Sequence, residues 1–274
     1  MSRRPGWWLT VLAIIWPITW ISARMTTWPV IGKVVAFFSL PLFTKNNFNV
    51  TYLPIKEEIT GMGSTHIPKD IIEQAIRRSS HRVIINRCTC RDDRKCENHP
   101  IDYGCTLLGE GTKEIDPRIA RHVSVEESID HLNKTINDGL IPMIGRVKID
   151  NFIWGVKDRG KLLTICHCCR CCCTILNSGK YFPEEARRSL VPFEGVKFVT
   201  DNDKCTLCGK CVEECFMAAI SVTDERIVRD YDNCKACGRC ITVCPEDAIT
   251  AEIDSVEKAV DELMGRVRGL VDFE

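Results

Sequence analysis

Cys205, Cys208, Cys211 and Cys215 stand at the spacing C-x2-C-x2-C-x3-C, and 29 residues further on Cys234, Cys237, Cys240 and Cys244 repeat it. Thiolates are soft ligands, and runs this close suit iron–sulfur clusters, in which the fourth Cys of each run reaches the other cluster. The chemistry such a pair supports is the movement of single electrons. C-x2-C pairs also serve zinc, but two four-Cys runs with matched flanks favour iron. The close spacing of the thiols disfavours a disulfide framework.

A second concentration is denser. Cys166-His-Cys-Cys-Arg-Cys-Cys-Cys173 places six thiols in eight residues. Adjacent side chains cannot all point into one core, so packing as small apolar residues does not explain them. With Cys88, Cys90, Cys96 and Cys105 upstream, ten cysteines lie outside the doubled run. They are candidate ligands for one or more additional clusters: Cys88, Cys90, Cys96 and Cys105 as one set, Cys166, Cys168, Cys169, Cys171, Cys172 and Cys173 as the other, or mixtures of the two. A helix starting over 169–176 would put Cys169, Cys172, Cys173 and Leu176 on one face, while the strand end before it aims Cys166 and Cys168 elsewhere. His167 lies inside the run and is a further candidate. His66, His81, His99, His122 and His131 are expected on the surface or in loops.

Eighteen cysteines would pair indiscriminately in an oxidising compartment, so a reducing one is expected. No C-x-x-C-H, G-x-G-x-x-G or P-loop occurs, which argues against covalent haem and against a nucleotide cofactor bound by this chain. Formal net charge is zero and no basic run is interleaved with aromatics, so nothing points to nucleic acid.

The elements that must position these thiols can be read from periodicity. A helix is expected from Pro68, with Ile71, Ile72, Ala75 and Ile76 on one face, then a short buried strand, Val83, Ile84 and Ile85, that ends in Cys88-Thr-Cys90 and, being extended, points both thiols the same way. Ser124 and Glu127 form a capping box ahead of the stripe Val125, Ile129, Leu132 and Ile136, and Gly139 closes that helix. A hairpin is expected from Asn151–Val156, a turn at Asp158-Arg159-Gly160, and Lys161–Ile165.

The doubled run is longer than its cysteines. FVTDNDKCTLCGKCVEECFMAAI at 198–220 aligns with IVRDYDNCKACGRCITVCPEDAI at 227–249, matching at Val199/Val228, Asp201/Asp230, Gly209/Gly238 and Ile220/Ile249. Strand, Cys-rich loop, helical turn and strand, used twice, form a pseudo-two-fold module. Over residues 195–253 the segment resembles the bacterial-type ferredoxin with two [4Fe–4S] clusters. The resemblance implies Cys205, Cys208, Cys211 and Cys244 as ligands of cluster I, and Cys234, Cys237, Cys240 and Cys215 as ligands of cluster II. That family has Pro after the fourth Cys. Pro245 fits, whereas Phe216 replaces it in the first run and brings the local turn into question. R-C-x-C-R, a spaced Cys pair and the Cys166–Cys173 run together resemble a pattern in ferredoxin-domain proteins of anaerobic microbes. The adjacent cysteines are similar to the Cys-Cys-Gly motifs that hold unusual clusters in disulfide-reducing enzymes, without the Gly.

Between Arg4 and Arg24 lie 19 uncharged residues with tryptophans near both ends. As a helix they span about 28 Å, close to a hydrocarbon core of about 30 Å. A second apolar stretch, Trp28–Phe43, is broken by Pro29, Lys33 and Pro41 and reads as a helix in the membrane interface. A cleaved export signal and a docking arm for a membrane subunit are the alternatives. Arg3 and Arg4 favour a cytoplasmic start, and a hairpin or surface helix would keep the clusters on the cytoplasmic side.

The expected organisation is α+β: a hydrophobic anchor or docking arm at 1–45, a Cys-rich module at 46–190, a 2[4Fe–4S] module at 191–255 and a C-terminal helix at 256–274. The expected function is membrane-associated electron transfer, with a flavoprotein, a quinone-linked subunit or a catalytic oxidoreductase as redox partner. The alternative is an iron–sulfur reductase with a catalytic cluster or dithiol in the Cys-rich module.

Overall fold

The computed structural model describes residues 4–54 and 67–274, and the expectations that rest on Arg3 and His66 lie outside the described residues. Two apolar helices, α1 (Trp8–Ile15) and α2 (Pro17–Met25), follow one another with Pro17 at the first position of the second, where a missing N–H is tolerated. α3 (Ile31–Ser39) comes next, with the short 3-10 turn Leu40–Phe43 behind it. Strand β1 (Phe48–Tyr52) and helix α4 (Ile67–Arg78) lead into β2 (Arg82–Ile85), α5 (Thr89–Asp93), β3 (Thr106–Leu108) and β4 (Ala120–His122). Helix α6 (Val125–Asn137) carries the capping box in full, with Ser124 and Glu127 exchanging bonds between side chain and backbone.

Strands β5 (Ile141–Val147) and β6 (Leu163–Cys168) are joined by α7 (Lys148–Trp154). All pairings in the six-stranded sheet β1-β5-β6-β3-β2-β4 are antiparallel. The expected hairpin arm Asn151–Val156 is therefore a helix end. β6 pairs with β5, with Ile141 opposite Cys168 and Met143 opposite Cys166. The intervening segment coils because Asp150 sits in its first turn and Gly155 closes it at φ +73°. A second correction concerns Cys88-Thr-Cys90: β2 ends at Ile85, Cys88 stands just before α5 without a side-chain capping bond, and Cys90 lies inside that helix. Helix α8 starts at Thr174 (Thr174–Ser178), so 169–173 is a turn and not the start of a helix.

The two faces of β6 have different duties. Leu163 and Ile165 join Ile144, Leu132 and the α4 residues Ile71, Ile72, Ala75 and Ile76 in one core. Cys166 and Cys168 point oppositely, as a period of two requires, into a second core with Phe48, Val50, Tyr52 and Met143.

After α9 (Glu184–Arg187) the chain enters β7 (Val196–Thr200), α10 (Lys210–Glu214), β8 (Ile220–Thr223), β9 (Arg226–Arg229), α11 (Arg239–Thr242) and β10 (Ile249–Ile253). β7 pairs with β10 and β8 with β9. The sequence repeat is also a backbone repeat: Leu207 and Ala236 have φ +55° and +51°, and Gly209 and Gly238 +77° and +75°. At Gly238 glycine is required twice over, by that φ and by Pro54, which an added Cβ would meet at 2.7 Å. Helix α12 (Val256–Leu270) buries Ala259, Leu263, Met264 and Val267, and Arg266 reaches Thr51 on β1 at 2.7 Å.

Candidate metal centres

Cys205, Cys208, Cys211 and Cys244 line one small pocket with Ile227 and Ile249. Cys215, Cys234 and Cys240 are the thiols whose charges bear on Cys237, which burial pushes up to about 12. Ala219 N–H donates to Cys215 Sγ at 3.2 Å and Ala248 N–H to Cys244 Sγ at 3.3 Å. The turn after the fourth Cys is thus the same with Phe216 as with Pro245. Phe216 does something Pro cannot: it is buried and stacks edge-on against Tyr52, centroids 5.4 Å apart, joining the module to the second core of the sheet. Arg229 extends its two terminal nitrogens toward Cys234 and Cys240, at 3.8 and 3.5 Å. Donors to cluster sulfurs are among the levers that set a potential.

The other ten cysteines fall into a six and a four, each drawing on both stretches of sequence. Cys88, Cys90 and Cys105 meet Cys166, Cys168 and Cys173 around a cavity of about 460 Å³, whose wall Cys169 of the second group also joins. Cys105 and Cys166 are 3.3 Å apart at sulfur, while Cys90 contacts both Cys88 and Cys173, and Cys173 contacts Cys168. Cys90 also lies 3.3 Å from Thr174 Oγ1. Apart from these thiols the cavity is mostly apolar, walled by Leu12, Trp16 and Ala23 of the amino-terminal helices and by Met143. Trp16 Nε1 donates to Thr174 Oγ1 at 2.8 Å, so α1 and α2 form its roof.

The second group is Cys96, Cys169, Cys171 and Cys172, whose sulfurs all lie within 4.8 Å of one another. Cys169 and Cys172 are buried, Cys171 is exposed. The Cys166–Cys173 run therefore serves two directions, dividing after Cys168 and again between Cys172 and Cys173.

Arg91 lies between the groups, fully buried. Its guanidinium donates to the carbonyls of Pro100 and His167, both at 2.9 Å, and to that of Tyr103. Burial alone would lower its pKa; negative charge at Cys88 and Cys169 overrides that and raises it. A buried cation needs a counter-charge, and the neighbours able to supply it are Cys88 and Cys169, one from each group, whose own pKa values are raised by burial and neighbouring thiols.

His167 is not aimed at the sulfurs. Its ring nitrogens face Thr106 Oγ1 at 3.1 Å and Thr135 Oγ1 at 2.9 Å, and burial holds its pKa well below the usual range. His131, expected at the surface, is buried against it with ring centroids 5.0 Å apart.

Tyr52 carried no signal in the sequence. Its hydroxyl is buried with no hydrogen-bond partner among the described residues. Burial, then Cys168, Cys173, Cys166 and Cys237, hold the phenol well above its ordinary pKa, so it remains a donor. An orphaned donor facing thiols of the six-Cys cavity and of the doubled run fits a bound cluster, whose sulfurs would accept from it.

Residues 195–248 match the 4Fe-4S dicluster domain family. No curated protein matches the chain. The carboxy-terminal part is a ferredoxin-type iron–sulfur domain that holds 4Fe-4S clusters and supports an electron-transfer role.

Proposed function

We propose that the chain is a membrane-associated electron-transfer protein in which two [4Fe–4S] clusters of a pseudo-two-fold module are continued by a further cluster in the six-thiol cavity. The observation that carries this reading is the shared core: Cys166, Cys168 and Cys173 pack in one apolar cluster with Tyr52, Phe216, Cys215, Cys234 and Cys237. When bound, the clusters supply one-electron transfer at potentials set by hydrogen bonding, burial and charge. The chain contributes the path. Cys208 is exposed, so the first ligand set faces solvent and a redox partner, whereas Cys215, Cys234 and Cys237 of the second set pack against the apolar cluster that contains Cys168 and Cys173.

The amino-terminal helices support an interfacial location. The apolar stretch Trp8–Met25 is long enough to cross a membrane, but Leu9, Leu12 and Ala23 pack on the module. The opposite stripe, Ile14, Ile18 and Ile21, is exposed, as are Val34, Phe37 and Phe38 on α3. A helix with one face docked and one bare apolar face lies on a bilayer more readily than it crosses one. The partner read from this arrangement is a membrane or quinone-linked subunit on one side and a soluble flavoprotein or oxidoreductase on the other.

A second reading, an iron–sulfur reductase, is favoured by the cavity. Six thiols exceed the four a cubane takes, and room beside surplus thiols suits a small substrate or disulfide. Iron and sulfide counting on the anaerobically purified chain, with electron paramagnetic resonance, tests the proposal. About twelve irons, from three cubane clusters, are expected; only about eight would remove the cavity cluster from both readings. Turnover of a disulfide by the chemically reduced protein would select the second reading.

A further inference from the structure

We infer that Cys96, Cys169, Cys171 and Cys172 bind one thiophilic metal ion in tetrathiolate coordination, and not an iron–sulfur cubane. The inference goes beyond the proposed electron path and does not depend on it.

The argument is one of distance. A tetrahedral ion with sulfur ligands at about 2.3 Å holds those sulfurs about 3.8 Å from each other. Cys96 and Cys171 are 3.6 Å apart at sulfur, and all four sulfurs lie within 4.8 Å. A cubane puts four irons and four sulfides between its thiolates, so two iron–sulfur bonds and an iron–iron edge separate each pair. Four sulfurs already in mutual contact leave no room for it. The ferredoxin-type domain supplies the contrast. Among the described residues the Cys96 group is the one in which three or more donor atoms gather this closely; the eight thiols of the dicluster domain form no such group, and neither do the six of the cavity, which touch only in pairs.

The surroundings fit a charged centre. Backbone N–H groups of Asn98 and His99 favour the thiolate of Cys96, and that of Cys172 the thiolate of Cys169, against the opposing effect of burial. Arg91 adds a buried guanidinium whose charge bears on Cys169. Four thiolates around a divalent ion leave a net negative site, which amide donors and a neighbouring cation stabilise. The ion would clip the segment after α5 to the Cys166–Cys173 run and so hold both halves of the six-thiol cavity in place. Zinc fits this redox-silent task, and iron in rubredoxin-like coordination fits the same four sulfurs.

Element analysis and X-ray absorption of the anaerobically purified full chain test this. One zinc per chain with four sulfurs at about 2.3 Å and no short metal–metal vector is the expected result. Replacing both Cys96→Ser and Cys171→Ser should then remove the zinc and leave the iron count and the paramagnetic signals of the reduced clusters unchanged. A mononuclear high-spin ferric signal in place of zinc, lost in the same variant without loss of sulfide, upholds the single-ion site as iron. Loss of about four irons with their sulfides in the variant, as for a cubane, overturns the inference, as does a wild-type chain with no zinc and no mononuclear iron.

Discussion

Single residues decide how the clusters would be tuned, and Tyr52 is the sharpest case. Tyr52→Phe deletes one buried O–H and no carbon, so the fold should hold. With a donor removed from sulfurs that gain negative charge on reduction, a potential should become more negative by tens of millivolts; about 1.4 kcal/mol corresponds to about 59 mV for one electron. Redox titration followed by paramagnetic resonance reads this, and an unchanged potential with unchanged iron would show that Tyr52 donates to no cluster. Asp150 offers a pH test. Burial raises its pKa to about 7, against a bond from Thr164 at 2.7 Å, with Cys90 raising it further. The folded state holds a proton that the unfolded state releases, so stability falls as pH rises from about 4 to about 7 and then levels. Asp150→Asn should flatten that slope and be the more stable form at pH 8, by at most ~4 kcal/mol at 1.36 kcal/mol per unit. Chemical denaturation at pH 5 and pH 8 checks it; equal slopes in both proteins would refute the assignment. The eight domain thiols were legible because spacing along the chain alone gathers them. Tyr52 and Arg91 were not: a tyrosine at the end of a strand and an arginine beside two cysteines carry no mark of where tertiary packing puts them.

At the scale of elements, the amino-terminal helices carry a direct prediction. Ile14→Asp with Phe37→Asp and Phe38→Asp places charge on positions 72%, 73% and 74% exposed, away from the buried Leu9 and Leu12. The full-length variant should keep its iron content and lose flotation with vesicles, because a charge at the acyl boundary opposes insertion. Retained flotation would assign the bare stripes to a protein surface. Elements with strong local signals were readable: α6 from its capping box, α4 from its stripe, β2 from its branched run. The segment 148–154 was misread because Phe-Ile-Trp suits a strand locally, and only the pairing of β5 with β6 leaves it to coil. The break between Cys172 and Cys173 was hidden for a similar reason. A turn of five residues can send neighbouring side chains to opposite sides, and no periodicity records it.

Across the whole molecule, one strand and its extension tie the thiol groups together. Cys166 and Cys168 enter the cavity from β6, Cys169, Cys171 and Cys172 turn to the four-sulfur group, and Cys173 returns. Arg170, between them, pairs with Glu214 of α10 at 3.3 Å, and Glu214 pairs with Arg239 of α11 at 3.0 Å. Glu214→Gln should therefore loosen the contact between the Cys-rich part and the dicluster domain. Slower electron exchange between the cavity cluster and the domain, with iron content intact, is the expected outcome in rapid-freeze kinetics; an unchanged rate would confine this ion-pair chain to a surface role.

The roof over the six thiols also bears on biogenesis. Helices α1 and α2 precede every cysteine in the chain, yet in the folded protein they close over sulfurs contributed by residues 88–173. A scaffold protein delivering preformed iron and sulfide must reach those sulfurs while the roof is open. On the proposed interfacial location, a bilayer that engages the apolar stripes would draw the roof aside during delivery. Loading of the apo chain should then run faster with vesicles present than without them, and the Ile14, Phe37 and Phe38 variant should lose that acceleration.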